Sequence, residues 1–131
     1  MSKELSKAGS GGLLRALHAG VRLPAPYQQD LLLLRTEIAG TTHTTGIEEL
    51  EPFLRPGERL ELVRVPDNPS DPNAIKLYTR DGVKLGYVPR QENQILARLM
   101  DAGKLLYAVI REKSWRGAWL QLGIDIYMTE D

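Results

Sequence analysis

The amino-acid sequence predicts a mainly β fold with short helices, in which about six strands form a small closed or nearly closed barrel and one helix follows the central hairpin. Three observations support this class. Apolar segments of strand length recur along the chain, turn-forming residues separate them, and one segment shows the helical spacing of apolar residues. A chain of 131 residues with 42% hydrophobic content is long enough to form one core.

Residues 1–30 are expected to lie outside this barrel. The glycine-rich segment 8–12 predicts a flexible tail, and the apolar segment 13–20, which ends in glycine, predicts a short helix. The chain is therefore expected to divide into a flexible tail with a short helical pre-segment over 1–30 and a barrel domain over 31–131.

The barrel domain begins with two predicted strands. Residues 31–40 are apolar enough to form a strand that is buried on both faces. The glutamate-rich segment 47–54 predicts one or two helical turns. Residues 58–65 alternate in part between polar and apolar side chains, as expected of a strand with one face in water.

Segment 67–75, Asp-Asn-Pro-Ser-Asp-Pro-Asn-Ala-Ile, is the most informative part of the chain. Its prolines restrict φ and its Asn and Asp side chains can hydrogen-bond their own backbone, so the loop is expected to hold one rigid shape. Residues 74–78 and 83–88 have strand character, and the Asp-Gly dipeptide at 81–82 is typical of a hairpin turn between them. A rigid polar loop beside a hairpin predicts a binding site.

One helix and two strands complete the predicted domain. Apolar residues recur at helical spacing within 90–100, which predicts an amphipathic helix behind the hairpin. Residues 105–111 and 118–128 have strand character, and a basic turn at 113–117 is expected to join them. Trp115 lies in that turn and is the aromatic residue expected to be most exposed.

These motifs together resemble the HIRAN domain over about residues 31–128. The resemblance rests on the Asn-Pro-x-Asp-x-Asn-Ala-Ile core of the loop, the Asp-Gly turn, the Gly-Tyr-x-Pro strand end and the short helix, with Ile38-Ala39-Gly40 and His43 upstream. Members of this family occur alone in bacteria and at the front of eukaryotic helicase-like DNA-repair ATPases. The resemblance implies an OB-like or SH3-like barrel. No Walker-type glycine-rich loop occurs in the sequence, which argues against an ATPase engine here.

The resemblance also implies a binding site for the 3′ end of single-stranded DNA. Asp71 matches the family aspartate that accepts a hydrogen bond from the terminal hydroxyl group, although it could instead, or in addition, cap its own loop. Arg90 matches a position that is basic in DNA-binding members and would contact a phosphate. Tyr87 is either a stacking platform or part of the core. The expected nucleic-acid-binding residues are His43, Asn68, Ser70, Asp71, Asn73, Tyr87 and Arg90.

Two positions depart from the family pattern. Ser70 stands where DNA-end binders have a stacking tyrosine, and Thr42 with His43 stands where they have an Arg-Tyr pair. His43 could still stack on a base, although a surface histidine without function is the commoner case. If each lost base–aromatic contact costs about 1–3 kcal/mol, two losses would weaken binding by on the order of 10² to 10⁴.

Composition excludes several functional classes. The absence of cysteine rules out disulfides and thiolate zinc sites, and two histidines in separate segments give no nucleophilic constellation. We therefore expect no enzyme activity, no metal and no cofactor. No apolar run approaches the length of about 20 residues that a membrane span needs, so a cytoplasmic protein without a membrane partner is expected.

Charge also limits how nucleic acid could be bound. The chain carries 17 basic and 17 acidic residues, so any nucleic-acid site must be local. Residues 62–116 contain ten basic and six acidic side chains, which permits such a site, although most of these charges are expected to be solvated surface.

The sequence thus predicts a non-catalytic module that binds nucleic acid, with single-stranded DNA or its 3′-hydroxyl end as partner, in DNA repair or replication-fork processing. Asp71, Tyr87 and Arg90 favour this function. The alternative is a protein–protein interaction module that keeps the barrel but has lost DNA-end stacking, with a helicase or nuclease as a possible partner. Thr42, His43 and Ser70 favour that alternative.

Overall fold

Six antiparallel strands form one sheet within residues 30–129, the part of the chain that this computed structural model describes. The strands are β1 (Leu31–Glu37), β2 (Arg59–Arg64), β3 (Ile75–Tyr78), β4 (Lys84–Tyr87), β5 (Leu106–Arg116) and β6 (Trp119–Met128). Their order across the sheet is β1-β6-β5-β2-β3-β4, and the sheet curls into a half-barrel. The predicted mainly β class with about six strands is confirmed. The tail and helical pre-segment predicted for residues 1–30 lie outside the described residues, apart from Asp30.

Side-chain alternation within the strands produces the core. In β2, Leu60 and Leu62 are buried while Glu61 between them is exposed, as expected of a strand with one face in water. Most of β6 is buried because β1 and β5 pair with its two edges. Burial of these apolar side chains is the main stabilising contribution to the fold. The largest fully buried apolar side chains are Ile38, Leu60, Ile75, Leu77, Leu85, Val88, Ile110, Leu120, Leu122, Ile124 and Ile126.

The two ends of the curled sheet meet at one β-bridge. After β1 the chain leaves β6, and Ala39 exchanges two backbone hydrogen bonds of 2.8 Å with Tyr87 of β4. Gly86 permits this close approach. A Cβ atom at position 86 would lie 2.3 Å from the carbonyl oxygen of Ala39 and 2.7 Å from Cγ2 of Ile38. The bridge therefore places the segment after β1 against the end of the β3–β4 hairpin.

Short helices occupy the connections between strands. The α-helices are α1 (Ile47–Leu50) and α2 (Gln94–Asp101), and 3-10 turns occur at Thr41–His43, Glu51–Phe53 and Arg90–Glu92. Helix α2 buries Leu96 and Ala97 against the sheet. Its last residue is tied to β2, because the Arg64 guanidinium donates hydrogen bonds of 2.9 and 3.0 Å to the Asp101 carboxylate.

Two expectations about strands were wrong. β1 is not buried on both faces: Leu31 and Leu32 are exposed, because β1 lies at the edge of the sheet and pairs only with β6 among the described residues. The predicted basic turn at 113–117 is mostly strand, since β5 stays paired with β6 up to Arg116. Trp115 is exposed as expected, but it lies within β5.

The predicted helix at 90–100 is also divided. Its first turn is a 3-10 turn, and α2 begins only after Asn93. Asn93 is buried, and its side chain is hydrogen-bonded to the loop before β3 rather than to the helix backbone. The residue that precedes the regular helix is therefore engaged in a long-range contact.

Candidate nucleic-acid interface

The loop between β2 and β3 holds its shape through its own side chains. Oδ1 of Asn68 accepts hydrogen bonds from the backbone N–H groups of Ser70 and Asp71, at 2.8 and 3.2 Å. Oδ1 of Asp71 accepts a hydrogen bond from the backbone N–H of Asn73 at 2.9 Å. These are the local Asx contacts that the sequence predicted. Ser70 is exposed at the tip of the loop.

Asp71 also carries a second, long-range contact. Its Oδ2 accepts a hydrogen bond of 2.8 Å from the side-chain amide of Asn93, at the start of α2. Partial burial opposes ionisation of Asp71. The hydrogen bonds from Asn93 and Asn73 and the charges of Arg90 and Arg64 outweigh it and hold the pKa of Asp71 below its ordinary value. Asp71 is therefore an oriented, ionised carboxylate whose oxygens retain lone pairs for a further donor.

A groove of about 370 Å³ opens beside the end of the β3–β4 hairpin. It is lined by Gly40, His43, Thr44, Thr45, Val83, Lys84 and Tyr87. His43 is exposed in its 3-10 turn, and Tyr87 is half-buried at the end of β4. The groove therefore brings together two of the predicted site residues, and both have rings on which a nucleic-acid base can stack.

The Tyr87 side chain is in contact with a cation. The Nζ atom of Lys84 lies 4.7 Å from the centroid of the Tyr87 ring and donates a 3.4 Å hydrogen bond to its hydroxyl group. The groove thus contains an ammonium group beside an aromatic ring, a combination that suits a phosphate next to a stacked base.

A third aromatic ring is fixed beside the turn that carries His43. The indole Nε1–H of Trp119 donates a 3.1 Å hydrogen bond to the hydroxyl oxygen of Thr41, and the Thr41 hydroxyl donates at 2.7 Å to the carbonyl of Leu120. Thr41 is buried, whereas Trp119 is 37% exposed. The hydrogen bonds therefore hold a tryptophan at the surface next to the 3-10 turn Thr41–His43, whose last residue lines the groove.

The residues predicted for the site form two neighbouring groups. His43 and Tyr87 line the groove. Arg90 connects the groups, because it follows Tyr87 by three residues and lies close enough to Asp71 to lower the pKa of that carboxylate. The loop group consists of Asn68, Ser70, Asp71 and Asn73.

Sequence reasoning did not include Asn93, Lys84 or Trp119 among the site residues. An asparagine just before an apolar helical segment is a signal for a helix start, but it does not reveal a partner 22 residues away. In the sequence, Lys84 was only one of the ten basic residues counted within 62–116. Trp119 was visible as an aromatic residue after the last turn, but its hydrogen bond to Thr41 spans 78 residues.

The side chains of the site can make three kinds of contact with a nucleic-acid strand. A carboxylate can accept a hydrogen bond from a hydroxyl group, cations can contact phosphates, and rings can stack on bases. Among residues 30–129, no group of three or more His, Cys, Asp or Glu side chains is arranged to bind a metal ion. None of the helices in that range has both the length and the hydropathy to cross a membrane.

Solved structures share the fold of this chain. A crystal structure of a protein from Lactobacillus plantarum superposes with a TM-score of 0.72 at 29% identity, covering 79% of this chain and 98% of that chain. The crystal structure of the HIRAN domain of human HLTF gives a TM-score of 0.61 at 23% identity, covering 78% of this chain and 80% of that chain. The HLTF HIRAN domain in its DNA-bound conformation, solved by NMR, gives a TM-score of 0.53 at 24% identity, covering 80% of this chain and 84% of that chain.

Sequence comparison gives the same relationship. The mouse helicase-like transcription factor is 32% identical over 82 residues, which is 60% of this chain but 8% of that protein. The chain thus spans less than a tenth of the length of this curated relative. The sequence profile of the HIRAN domain matches residues 31–131. This chain belongs to the HIRAN domain family.

Proposed function

We propose that this chain is a non-catalytic module that binds single-stranded DNA and recognises its 3′-hydroxyl end through Asp71. The geometry of Asp71 carries the proposal. Its carboxylate is oriented by Asn73 and Asn93 in a rigid loop, and the exposed Arg90 supplies a positive charge nearby. A strand end placed here would donate its hydroxyl to the carboxylate while its backbone phosphate lies near the guanidinium.

The ionised state of Asp71 gives a physical reason for end selectivity. A carboxylate accepts a hydrogen bond from a free hydroxyl group but repels a terminal phosphate, which carries the same sign of charge. The low pKa of Asp71 means that this discrimination holds throughout the neutral pH range. An unmodified 3′ end is therefore the expected ligand.

The rings in and next to the groove support stacking of bases of the bound strand. His43 and Tyr87 line the groove, and Trp119 is fixed next to the same turn. Each base–aromatic contact contributes about 1–3 kcal/mol to single-strand binding. Ser70 and Thr42 lack rings, so fewer bases are held than in a site with aromatic residues at all of these positions.

The family relationship also supports DNA as the ligand, because the related HIRAN domain of HLTF has been solved in a DNA-bound conformation. We further propose that the module acts in DNA repair or replication-fork processing, where free 3′ ends arise.

Fluorescence anisotropy tests the proposal. Short DNA single strands with either a 3′-hydroxyl or a 3′-phosphate are titrated at low salt with wild type, Asp71→Ala and Asp67→Ala. Asp67 lies in the same loop and is exposed, so its substitution is a control for the loss of one negative charge. We expect wild type and Asp67→Ala to prefer the hydroxyl end and Asp71→Ala to lose that preference. Equal affinity of wild type for both ends would refute end recognition.

A protein–protein interaction module is the second candidate. The observation that favours it is the lack of rings at the exposed positions Thr42 and Ser70. This alternative predicts that wild type binds neither strand at low salt, with a helicase or nuclease as the kind of partner to test next.

A further inference from the structure

Lys84 is a cation in the groove lining that has no acidic partner among the residues that the structure describes. Among residues 30–129, no carboxylate oxygen lies within 4.0 Å of its Nζ atom, whereas Arg64, Arg111 and Lys113 all form such ion pairs. Its recorded contacts are the ring and hydroxyl group of Tyr87. The seven residues that line the groove include no Asp or Glu, so the charge of Lys84 is not neutralised there.

An irregularity in β4 places Lys84 at this position. Tyr78 is paired with Lys84 and Leu77 with Gly86, so Leu85 is an extra residue in the β3–β4 pairing. In a regular strand, positions 84 and 87 would point to opposite faces of the sheet, because they are three residues apart. The β-bulge at Leu85 changes the alternation and puts the Lys84 and Tyr87 side chains on the same face.

The bulge is held by specific contacts. The side chain of Leu85 is fully buried in the core, and its carbonyl accepts a 2.6 Å hydrogen bond from the Thr44 hydroxyl. Thr44 lines the same groove. A residue of the groove lining thus stabilises the bulge that directs Lys84 toward the groove.

We propose that Lys84 binds an internal backbone phosphate of a nucleic-acid strand lying in the groove, next to a base that stacks on Tyr87. This inference rests on the proposed function and adds a phosphate subsite to it. An exposed lysine–tyrosine contact is weak, so the ammonium group can leave the ring when an anion enters. The proposed function places the 3′ end of the strand at Asp71, and the Asp71 carboxylate repels a terminal phosphate. The phosphate at Lys84 is therefore an internal one.

The salt dependence of binding measures a phosphate contact directly. For a single strand, each neutralised phosphate contributes about 0.7 to the slope of log affinity against log salt concentration. Wild type, Lys84→Met, Lys84→Arg and Lys104→Met are titrated with the 3′-hydroxyl and 3′-phosphate strands over a range of salt. Lys104→Met is the control, because Lys104 is exposed after α2 and is not part of the groove lining.

We expect Lys84→Met to reduce the slope by about 0.7 and to weaken binding to both strands by the same factor. Lys84→Arg should retain the wild-type slope, and Lys104→Met should match wild type. An unchanged slope in Lys84→Met, with intact binding, overturns the phosphate subsite alone. A reduced slope in Lys84→Met, combined with equal affinity of wild type for the two strands, supports the phosphate subsite and refutes end recognition. Absence of binding by wild type overturns both.

Discussion

The side-chain amide of Asn93 donates a 2.8 Å hydrogen bond to Oδ2 of Asp71, and this bond connects the start of α2 to the loop before β3. Asn93 is 2% exposed, so its amide group is enclosed by the fold. Asp71 is the residue on which the proposed end recognition depends. A buried residue outside the loop therefore orients the carboxylate that would contact the DNA end.

Replacing Asn93 with leucine should raise the pKa of Asp71. Partial burial already opposes ionisation of this carboxyl group, and the Asn93 hydrogen bond is the largest contribution that lowers its pKa. The Asp71 carboxyl ¹³C shift, followed by NMR across the acid range, measures the change without DNA. Asn73→Ala is the control, because residue 73 donates through its backbone N–H and should leave the pKa unchanged. Equal pKa values in wild type and Asn93→Leu would contradict this prediction.

The stability of the fold should depend on the ionisation of Asp71. Because its pKa is lowered in the folded state, the ionised carboxylate contributes stability that is fully present above the unfolded value of about 3.9. This contribution is lost as the pH falls through the folded-state pKa. Urea unfolding of wild type and Asp71→Asn should show the variant less stable at neutral pH, with the difference shrinking below about pH 4. A stability difference between wild type and Asp71→Asn that stays constant with pH would contradict this prediction.

Trp119→Leu should weaken single-strand binding by about 1–3 kcal/mol, on the order of five- to 150-fold, if its indole stacks on a base. Trp115→Leu is a matched control, because Trp115 is similarly exposed on the same hairpin and pairs with Leu120 rather than contacting Thr41. Anisotropy titrations of both variants at one salt concentration make the comparison. Equal losses in the two variants would indicate a general effect on the hairpin instead of stacking.

Gly86→Ala should destabilise the fold by about 1–3 kcal/mol, because the new methyl group would clash with the backbone of Ala39 at the bridge. Gly123→Ala is the comparison. A Cβ there meets the Arg111 and Glu112 side chains at 2.8 and 2.9 Å, and side chains can move more easily than backbone. Denaturant unfolding should therefore show a larger loss for Gly86→Ala. The reverse order would mean that the bridge can shift at little cost.

Local rules accounted for much of the fold and for the loop. The alternation of Leu60 and Leu62 with polar neighbours is visible in the sequence, and so is the hairpin turn, where Gly82 has a φ of 90°. The contacts of Asn68 with its own loop also follow from nearby residues alone. In each case the interacting groups are a few residues apart, so the spacing in the chain specifies the contact.

Other features were decided by pairing between distant segments. The exposure of β1 depends on its place at the edge of the sheet, and the length of β5 depends on its register with β6. The contact of Trp119 with Thr41 requires two segments that only the folded sheet brings together. No local pattern encodes these relationships.

By itself, the sequence determined the β class, the rigid loop, the identity of Asp71 as the candidate end-binding residue and the family resemblance. The β class, the loop and the motifs of the family depend on residue type and short-range spacing, and Asp71 is the candidate because the family resemblance implies that role. Tertiary structure alone decided that Asn93 orients Asp71 and that the bulge at Leu85 directs Lys84 to the Tyr87 ring. The physical reason is that hydrogen-bond partners and strand register across a sheet depend on how the whole core packs, and a linear pattern does not specify that packing.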